Sequence, residues 1–530
     1  MAQFPLEVPD NPKTSGNGNF LNLNHKKYNH FYDSTTPRCN GFLVDRPPHD
    51  TLYLQKQLEA VGNYYEKISN GALNYTADII LNSNSKQDGY YTLPDSMEYY
   101  AKADTSLARL FSNVLDTAKA DINLYFVDKA FTPDDVVFIV FHAGLSQDFS
   151  YQSLDPTIYD LKSAYIDEIM MKDIGPSKVL QDEISYDIKT GILLPETQNI
   201  IYYDVVEDIF GNPDYGTTDL CDIQIGLTGI FAFLLGYELG LPPMFNNDSL
   251  SINYGDPGVG YFGLMDHGSN NGRGVFPSPP TPWTRSIITG WSDVKEIDFQ
   301  NSPDTVLIEA YHKSNKMYKI DISQNEYFLI ENRSNYIIPG FDIEYLRYLL
   351  WDNYLCENCD LNCNGLNITE IVDSSLVIEE CVKKNPFPNE RLHYFDVIDT
   401  LIKHDPSLIL NEEFENNIFS GFANYDLGLP GSGILIWHIT EPVESEYITG
   451  VNNDRNNRAI HLEEGDGAVD IGFESYAFFA SDAEMLAKGW PYDYWFNDNN
   501  QFLQFGNHLA DEVVFDNWSN PNTRTTDGAE

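Results

Sequence analysis

The stretch Gly229-Ile-Phe-Ala-Phe-Leu-Leu-Gly-Tyr-Glu-Leu-Gly-Leu-Pro-Pro243 decides the fold. It predicts a helix that ends at Gly240, because Pro242 and Pro243 cannot continue a helix and glycine favours the position just after one. Apolar side chains cover nearly its whole circumference, which places the helix inside a domain. The apolar run of residues 223–237 is shorter than the about 20 residues that a membrane span needs. The stretch therefore predicts a core helix rather than a transmembrane helix.

The same stretch resembles the active-site helix of the immune inhibitor A family of secreted zinc metallopeptidases, which reads roughly G-x-F-A-H-E-x-G-H-x-L-G-L-P-D. The residues that keep this frame are Gly229, Phe231, Ala232, Gly236, Leu239, Gly240, Leu241 and Pro242. Other segments follow the family in order, at residues 69–73, 142–144, 261–269, 279–291, 331–333, 429–441, 460–467 and 520–528. The resemblance implies an α/β fold, with a metallopeptidase-like (zincin-like or metzincin-like) domain followed by a β-rich domain.

The catalytic residues of that family are missing from this chain. Phe233 and Tyr237 stand at the positions of the two zinc-binding histidines, Leu234 replaces the glutamate that acts as general base, and no His-Glu-x-x-His occurs elsewhere. Pro243 replaces the aspartate after Gly-Leu-Pro, whereas Met265 stands where the family has the methionine beneath its zinc. Zinc hydrolysis needs three protein ligands, an open position for water and a base. We therefore predict a pseudopeptidase that binds no zinc and does not act as an enzyme through this helix.

Two other functions remain open. One is an active hydrolase with a relocated site, for which the candidate residues are His142, His267, His438, Glu441, Glu463, Glu464 and Asp466. No spacing requires these residues to meet, and a histidine at a strand end, such as His142, more often has a structural role. The other is a binding or surface protein whose former substrate cleft holds a protein, peptide or glycan, which the content of 34 Tyr, 31 Phe and 7 Trp allows.

A loop rich in oxygen atoms follows the helix. Asn246, Asp248 and Asp256 lie in it among glycines, and Ca²⁺ prefers carboxylate and amide oxygens. Proteases of the resembled family bind calcium nearby, but the spacing does not match an EF-hand loop. The loop is therefore a candidate calcium site, with an ordinary polar loop as the alternative.

The composition excludes some partners. The 530 residues include 80 acidic and 32 basic side chains, for a net charge of −48, which repels nucleic acid and anionic membrane surfaces. The hydrophobic content of 42% is typical of a globular chain, and the length allows two or more domains. The first residues lack a basic segment and an apolar core, so we expect no export signal within this sequence. The resemblance nevertheless implies a secreted or cell-surface protein whose signal has been removed.

The pattern along the chain divides it into three parts: an extended lead-in at 1–45, the metallopeptidase-like domain at 46–292, and a β-rich domain at 293–530. We expect helices at 50–67, capped by Asp50, and at 96–125. Strands are expected at 136–141, 305–309, 317–322 and 327–333. An insertion at about 343–422 carries four cysteines, for which local disulfides are expected in an extracellular protein and zinc is the alternative; these are Cys356, Cys359, Cys363 and Cys381.

Overall fold

The computed structural model describes residues 1–22, 44–85, 89–102, 106–149, 154–203, 206–207, 213–214, 220–297, 305–337, 418–419, 421–443, 445–473, 487–504, 507–508 and 510–526. The four clustered cysteines and nearly all of the predicted insertion lie outside these residues. By their contacts, the residues group into two units. Unit 1 comprises Met1–Gly62, Tyr75–Gly240 and Glu415–Phe419, and unit 2 comprises Asn63–Asn74, Leu241–Phe414 and Ser420–Glu530. The division after residue 240 comes earlier than the predicted boundary at 292, because residues 241–292 pack with the β-rich part.

The described residues of unit 1 form five α-helices and eleven short strands. The helices are α1 Thr51–Ile68, whose last residues pass into unit 2, α2 Met97–Ala101, α3 Ser106–Tyr125, α4 Glu168–Met171 and α5 Leu227–Glu238. The strands are β1 Ala2–Gln3, β2 Tyr91–Thr92, β3 Ile139–His142, β4 Ala164–Ile166, β5 Ser177–Gln181, β6 Ile184–Ile188, β7 Gly191–Pro195, β8 Ile200–Tyr203, β9 Val206–Glu207, β10 Pro213–Asp214 and β11 Leu220–Ile223.

The main sheet of unit 1 is mixed, with strand order β2-β1-β3-β7-β4. Its first four strands are parallel, and β4 pairs with β7 in the antiparallel direction. Residues that the sequence assigned to a lead-in contribute β1 to this sheet, and Phe4 is fully buried beside it. α5 packs against β4 and β7, and most of its side chains are buried. The predicted α/β class is therefore confirmed at the level of helices with mixed sheets.

The local predictions in unit 1 hold with small shifts. Asp50 accepts a hydrogen bond from the Tyr53 backbone N–H at 3.0 Å, as expected of an N-cap. The predicted helix at 96–125 is instead two helices, α2 and α3. The central helix stops at Glu238, and Gly240 takes a positive φ of 74° that favours glycine at a helix end.

Unit 2 is built around a five-stranded sheet of order β12-β13-β14-β15-β16. Its strands are β12 Asp293–Glu296, β13 Lys316–Asp321, β14 Glu326–Arg333, β15 Gly433–Thr440 and β16 Ile460–Glu463, and a short helix, α6 Glu446–Thr449, follows β15. All neighbours are antiparallel except β12 and β13. The prediction of a strand at 305–309 is wrong: β13 occupies the edge of β14, and only Ala310 forms an isolated bridge there.

One face of this sheet covers a buried ionic network. Glu331 of β14 forms ion pairs with Arg285 and Arg333, and Arg333 also donates to Asp426 at 2.6 Å. The Trp437 indole N–H donates to Glu331 at 3.1 Å, and the side chains of the charged members are 2% exposed or less. The segments at 279–291 and 331–333, which carry the family resemblance, therefore meet in the core of unit 2.

The opposite face of the sheet packs against the C-terminal segment. Phe328 of β14 and Ile436 of β15 form a cluster with Trp495 and Phe502, which lie beyond the sheet in sequence. Because paired residues of antiparallel strands point to the same face, His438 and His461 share this face with Phe328.

Candidate functional site

The degenerate zinc positions on α5 form an aromatic cluster. Tyr237 stacks on Tyr165 of β4 with ring centroids 5.7 Å apart and 16° between their planes. Phe233 meets Tyr237 edge-on at 5.1 Å, and Leu234 is 4% exposed. Neither Phe233 nor Leu234 offers an atom that can bind a metal. The helix face that would carry zinc is therefore occupied by packed rings.

Glu238, the last residue of α5, forms hydrogen bonds that connect the helix to its neighbours. Its Oε1 accepts a hydrogen bond from the Thr190 hydroxyl at 3.4 Å. Burial, together with the nearby Glu238 carboxylate, raises the pKa of Tyr165 well above the usual tyrosine value. Tyr165 therefore stays a neutral phenol that can donate to Glu238, which stabilises the aromatic cluster.

The other two positions singled out by the resemblance lie in unit 2. Pro243 and Met265 are buried, and the neighbouring Met244 N–H donates to the Met265 carbonyl at 2.9 Å. Met265 is a core residue there.

Several side-chain oxygens of the predicted calcium loop already have hydrogen-bond or ion-pair partners. The Asn246 side-chain oxygen accepts from the Asp248 N–H at 3.1 Å, and an oxygen of Asp248 accepts from the Leu250 N–H at 2.9 Å. Asp256 lies 3.7 Å from the Arg455 guanidinium. Calcium at Asn246, Asp248 and Asp256 stays a prediction.

Three of the residues considered for a relocated site have separate, local partners. His142 is fully buried, its Nδ1 donates to the Ala143 carbonyl at 2.9 Å, and burial lowers its pKa to about 4. His267 lies 3.9 Å from Asp266, the residue just before it. Glu441 accepts hydrogen bonds from the Tyr327 hydroxyl at 2.6 Å and from the Trp283 indole at 3.3 Å.

The sheet of unit 2 brings His438 between two carboxylates. Its Nδ1 and Nε2 each lie 2.7 Å from a carboxylate oxygen, of Glu463 on β16 and of Glu326 on β14 respectively. Both glutamates are diagonal neighbours of His438 on one sheet face, because Phe328 and His461 are its direct partners. His461 lies 3.7 Å from Glu463. The sequence singled out His438 and Glu463, whereas Glu326 and His461 were missed.

The charges in this group favour a protonated ring. Burial alone would lower the pKa of His438, but its contacts with Glu463 and Glu326 raise it above the ordinary value. The same contacts help to hold the pKa of both glutamates below normal, against the effect of burial. The group is therefore a buried ion triplet in which both ring nitrogens act as donors, so a metal would have to displace the proton on Nδ1.

A polar cavity of about 380 Å³ opens beside this triplet. Its walls include His438, His461, Arg455, Arg458 and Arg524. The buried Arg458 Nε and His461 Nδ1 have no hydrogen-bond partner within the described part of the chain. Glu463 also lines the cavity, so its walls combine one carboxylate with three arginines whose guanidinium groups can donate hydrogen bonds to an acceptor group of a ligand.

Two further residues of the candidate set meet a partner that the sequence did not single out. Glu464 and Asp466 follow β16, and one oxygen of each lies within 4.8 Å of the other and of a carboxylate oxygen of Asp493.

Alternation along β14 and β16 could have pointed to Glu326 and His461. No sequence signal points to Asp493, because its approach depends on a loop contact.

Compared with protein-family models, with curated proteins and with solved structures, the chain shows no significant match. Within the described ranges, the helices are too short or too polar to cross a membrane.

Proposed function

We propose that this chain is a secreted or cell-surface relative of the immune inhibitor A metallopeptidases that has lost its zinc and acts by binding rather than by catalysis. The observation that carries this proposal is the aromatic cluster on α5. Tyr237 stacks on Tyr165, Phe233 packs against Tyr237, and Leu234 is buried. These side chains replace two zinc ligands and a general base with apolar volume, which removes the cost of a buried charge.

The cavity beside His438 supports a binding role. Arg455, Arg458 and Arg524 line the cavity, and their guanidinium groups are donors that match the oxygens of a carboxylate or another anionic group. A peptide carboxylate or an acidic glycan has this chemistry. The ligand class therefore follows from the charge of the walls, within the protein, peptide or glycan partners expected from the sequence.

The alternative is an active hydrolase with a relocated metal. Its support is that His438, His461 and Glu463 offer ligand atoms within 4.8 Å of one another, with Glu326 bonded to the far nitrogen of His438. A carboxylate on the far side of a metal-bound histidine is a common arrangement in zinc sites.

Metal content and hydrolysis separate the two functions. We would measure zinc by elemental analysis of the purified chain, and casein hydrolysis with and without chelator. The inactive relative contains zinc far below one equivalent and shows no chelator-sensitive cleavage. One zinc per chain with chelator-sensitive cleavage would overturn the proposal. If that zinc then disappears in His461→Gln but persists in the control His508→Gln, the relocated site is correct.

A further inference from the structure

Three buried carboxylates from two separate segments converge in unit 2. Glu464 and Asp466 lie in the loop that follows β16, and Asp493 ends a short helical turn, Pro491–Asp493. An oxygen atom from each lies within 4.8 Å of the others, and each residue is 1% exposed or less. Buried carboxylates normally lie beside a positive charge or a metal ion, because an isolated buried charge is costly.

The backbone holds the two segments together. The Gly465 N–H donates to the Asp493 carbonyl at 2.8 Å. The Asn499 side-chain amide donates to the carbonyls of Gly465 and Tyr494, each at 3.0 Å. A Cβ at Gly465 would lie 2.5 Å from the Tyr494 carbonyl oxygen, so only glycine permits this approach. The carboxylates are therefore positioned before any ligand binds.

The hydrogen bonds of the three carboxylates leave one oxygen unpaired. Glu464 accepts from the backbone N–H groups of residues 470 and 471, and Asp466 from the Ala468 N–H and the Trp490 indole. Asp493 accepts from the Trp490 N–H through Oδ2 at 2.7 Å, whereas its buried Oδ1 has no hydrogen-bond partner among the residues that the structure describes. Such an atom requires an explanation, such as a bound ion.

Carboxyl groups are crowded together at this site. A fourth carboxyl, Asp470, acts on Glu464 and Asp493, and its buried Oδ1 also lacks a hydrogen-bond partner within the described part of the chain. Burial raises the pKa of all four carboxyls, and repulsion among them adds to this in Glu464, Asp470 and Asp493. Within the described residues, Arg458 is a cation that interacts with Glu464. Residues 474–486, between the two segments, contain no Lys, Arg or His.

We propose that Glu464, Asp466 and Asp493 bind a calcium ion. The ligand set contains only oxygen, which suits a hard cation rather than zinc. Calcium binds oxygen at about 2.3–2.6 Å, so the oxygens of one site lie at most about 5 Å apart, a condition that these three carboxylates meet. The site differs from the loop of Asn246, Asp248 and Asp256, and it does not depend on whether the protein is a peptidase.

Calcium titration of the full chain tests the proposal. After removal of divalent ions, we expect calcium bound by this site to raise the thermal unfolding midpoint. Asp493→Asn keeps the side-chain volume but removes a charge, so calcium affinity at this site falls at least about tenfold. Asp321→Asn, at an exposed carboxylate of the same unit, is the matched control and retains this affinity. Glu464→Gln is a second variant with the same expected loss.

Terbium luminescence locates the ion. Tb³⁺ replaces Ca²⁺ at oxygen sites, and the Trp490 indole lies 2.9 Å from an oxygen of Asp466. Excited where only tryptophan absorbs, the wild-type protein gives Tb³⁺ emission that calcium quenches by displacement. Trp490→Phe loses most of this emission. Absence of calcium binding, unchanged affinity in both carboxylate variants, or full emission from Trp490→Phe would each overturn the proposal.

Discussion

Tyr237 lies flat against Tyr165, with 5.7 Å between the ring centroids and 16° between the ring planes. The contact joins α5 to the antiparallel edge strand β4 of the main sheet in unit 1. In the family that the sequence resembles, the position of Tyr237 belongs to a zinc ligand. Here the side chain serves helix–sheet packing, so its removal should affect stability rather than metal content.

Tyr237→Ala should lower the free energy of unfolding by about 1–3 kcal/mol, because it removes two aromatic contacts and leaves a cavity. Chemical denaturation followed by tryptophan fluorescence measures the change. Tyr254→Ala, at a tyrosine that is 61% exposed, is the control and should change stability by much less. A Tyr237 variant as stable as the control would show that the aromatic cluster does not hold α5 in place.

His438→Ala should lower the free energy of unfolding by about 3 kcal/mol, because it leaves Glu326 and Glu463 buried without the cation between them. His508→Ala, at an exposed histidine of the same unit, is the control. Equal stability of the two variants would contradict a buried ion triplet.

Glu331→Gln should be the most destabilising of the single changes. The substitution removes the carboxylate between Arg285 and Arg333, whose charges lower the pKa of Glu331 although burial acts in the opposite direction. Breaking a buried ion pair costs about 3–5 kcal/mol.

The control for Glu331 is Asp321→Asn on the same sheet. Asp321 pairs with Lys319 at 2.7 Å and its side chain is 56% exposed, so about 1 kcal/mol or less is expected. The urea unfolding midpoints of the two variants measure the difference in their stability. Equal shifts of the two midpoints would contradict a stabilising role for the buried ionic network.

Asp160→Asn should stabilise the protein at neutral and alkaline pH. Burial raises the pKa of Asp160 to about 8, although its Oδ1 accepts hydrogen bonds from the Ser15 N–H at 2.7 Å and hydroxyl at 2.9 Å. Above the unfolded pKa near 3.8, the native state binds more protons than the unfolded state. The contribution of Asp160 to the free energy of unfolding of the wild-type protein therefore falls as pH rises from about 4 to 8 and then levels off.

The size of the stability change in Asp160→Asn follows from the pKa shift of Asp160. At about 1.4 kcal/mol per pKa unit, the gain in Asp160→Asn reaches several kcal/mol above pH 8 and vanishes near pH 4. Unfolding free energies at several pH values measure it, with the exposed Asp10→Asn as control. A gain that does not depend on pH would contradict a buried, raised-pKa carboxyl.

Local elements were predictable because their signals are local. The apolar periodicity of residues 50–67 and the Asp50 cap predicted α1 within one residue at either end. The apolar stretch closed by Gly240 and two prolines predicted α5 within two residues of its end. Strands 317–322 and 327–333 were predicted within one residue, because alternation along a strand does not depend on its partner. Residues 305–309 are also rich in β-branched side chains but form no strand, since β13 holds the edge of β14 that they would need.

The sequence by itself determined that the zinc motif is absent: no fold can make Phe233 or Leu234 bind a metal. It also determined the acidic charge and the α/β class. Only the tertiary structure decided which charged groups meet. Glu326 reaches His438 across 112 positions because the register of β14 and β15 aligns Phe328 with His438. Asp493 lies beside Glu464 and Asp466 because the backbone at Gly465 approaches the Tyr494 carbonyl closely. No periodicity in the sequence predicts this loop contact, since it depends on three-dimensional packing rather than on spacing along the chain.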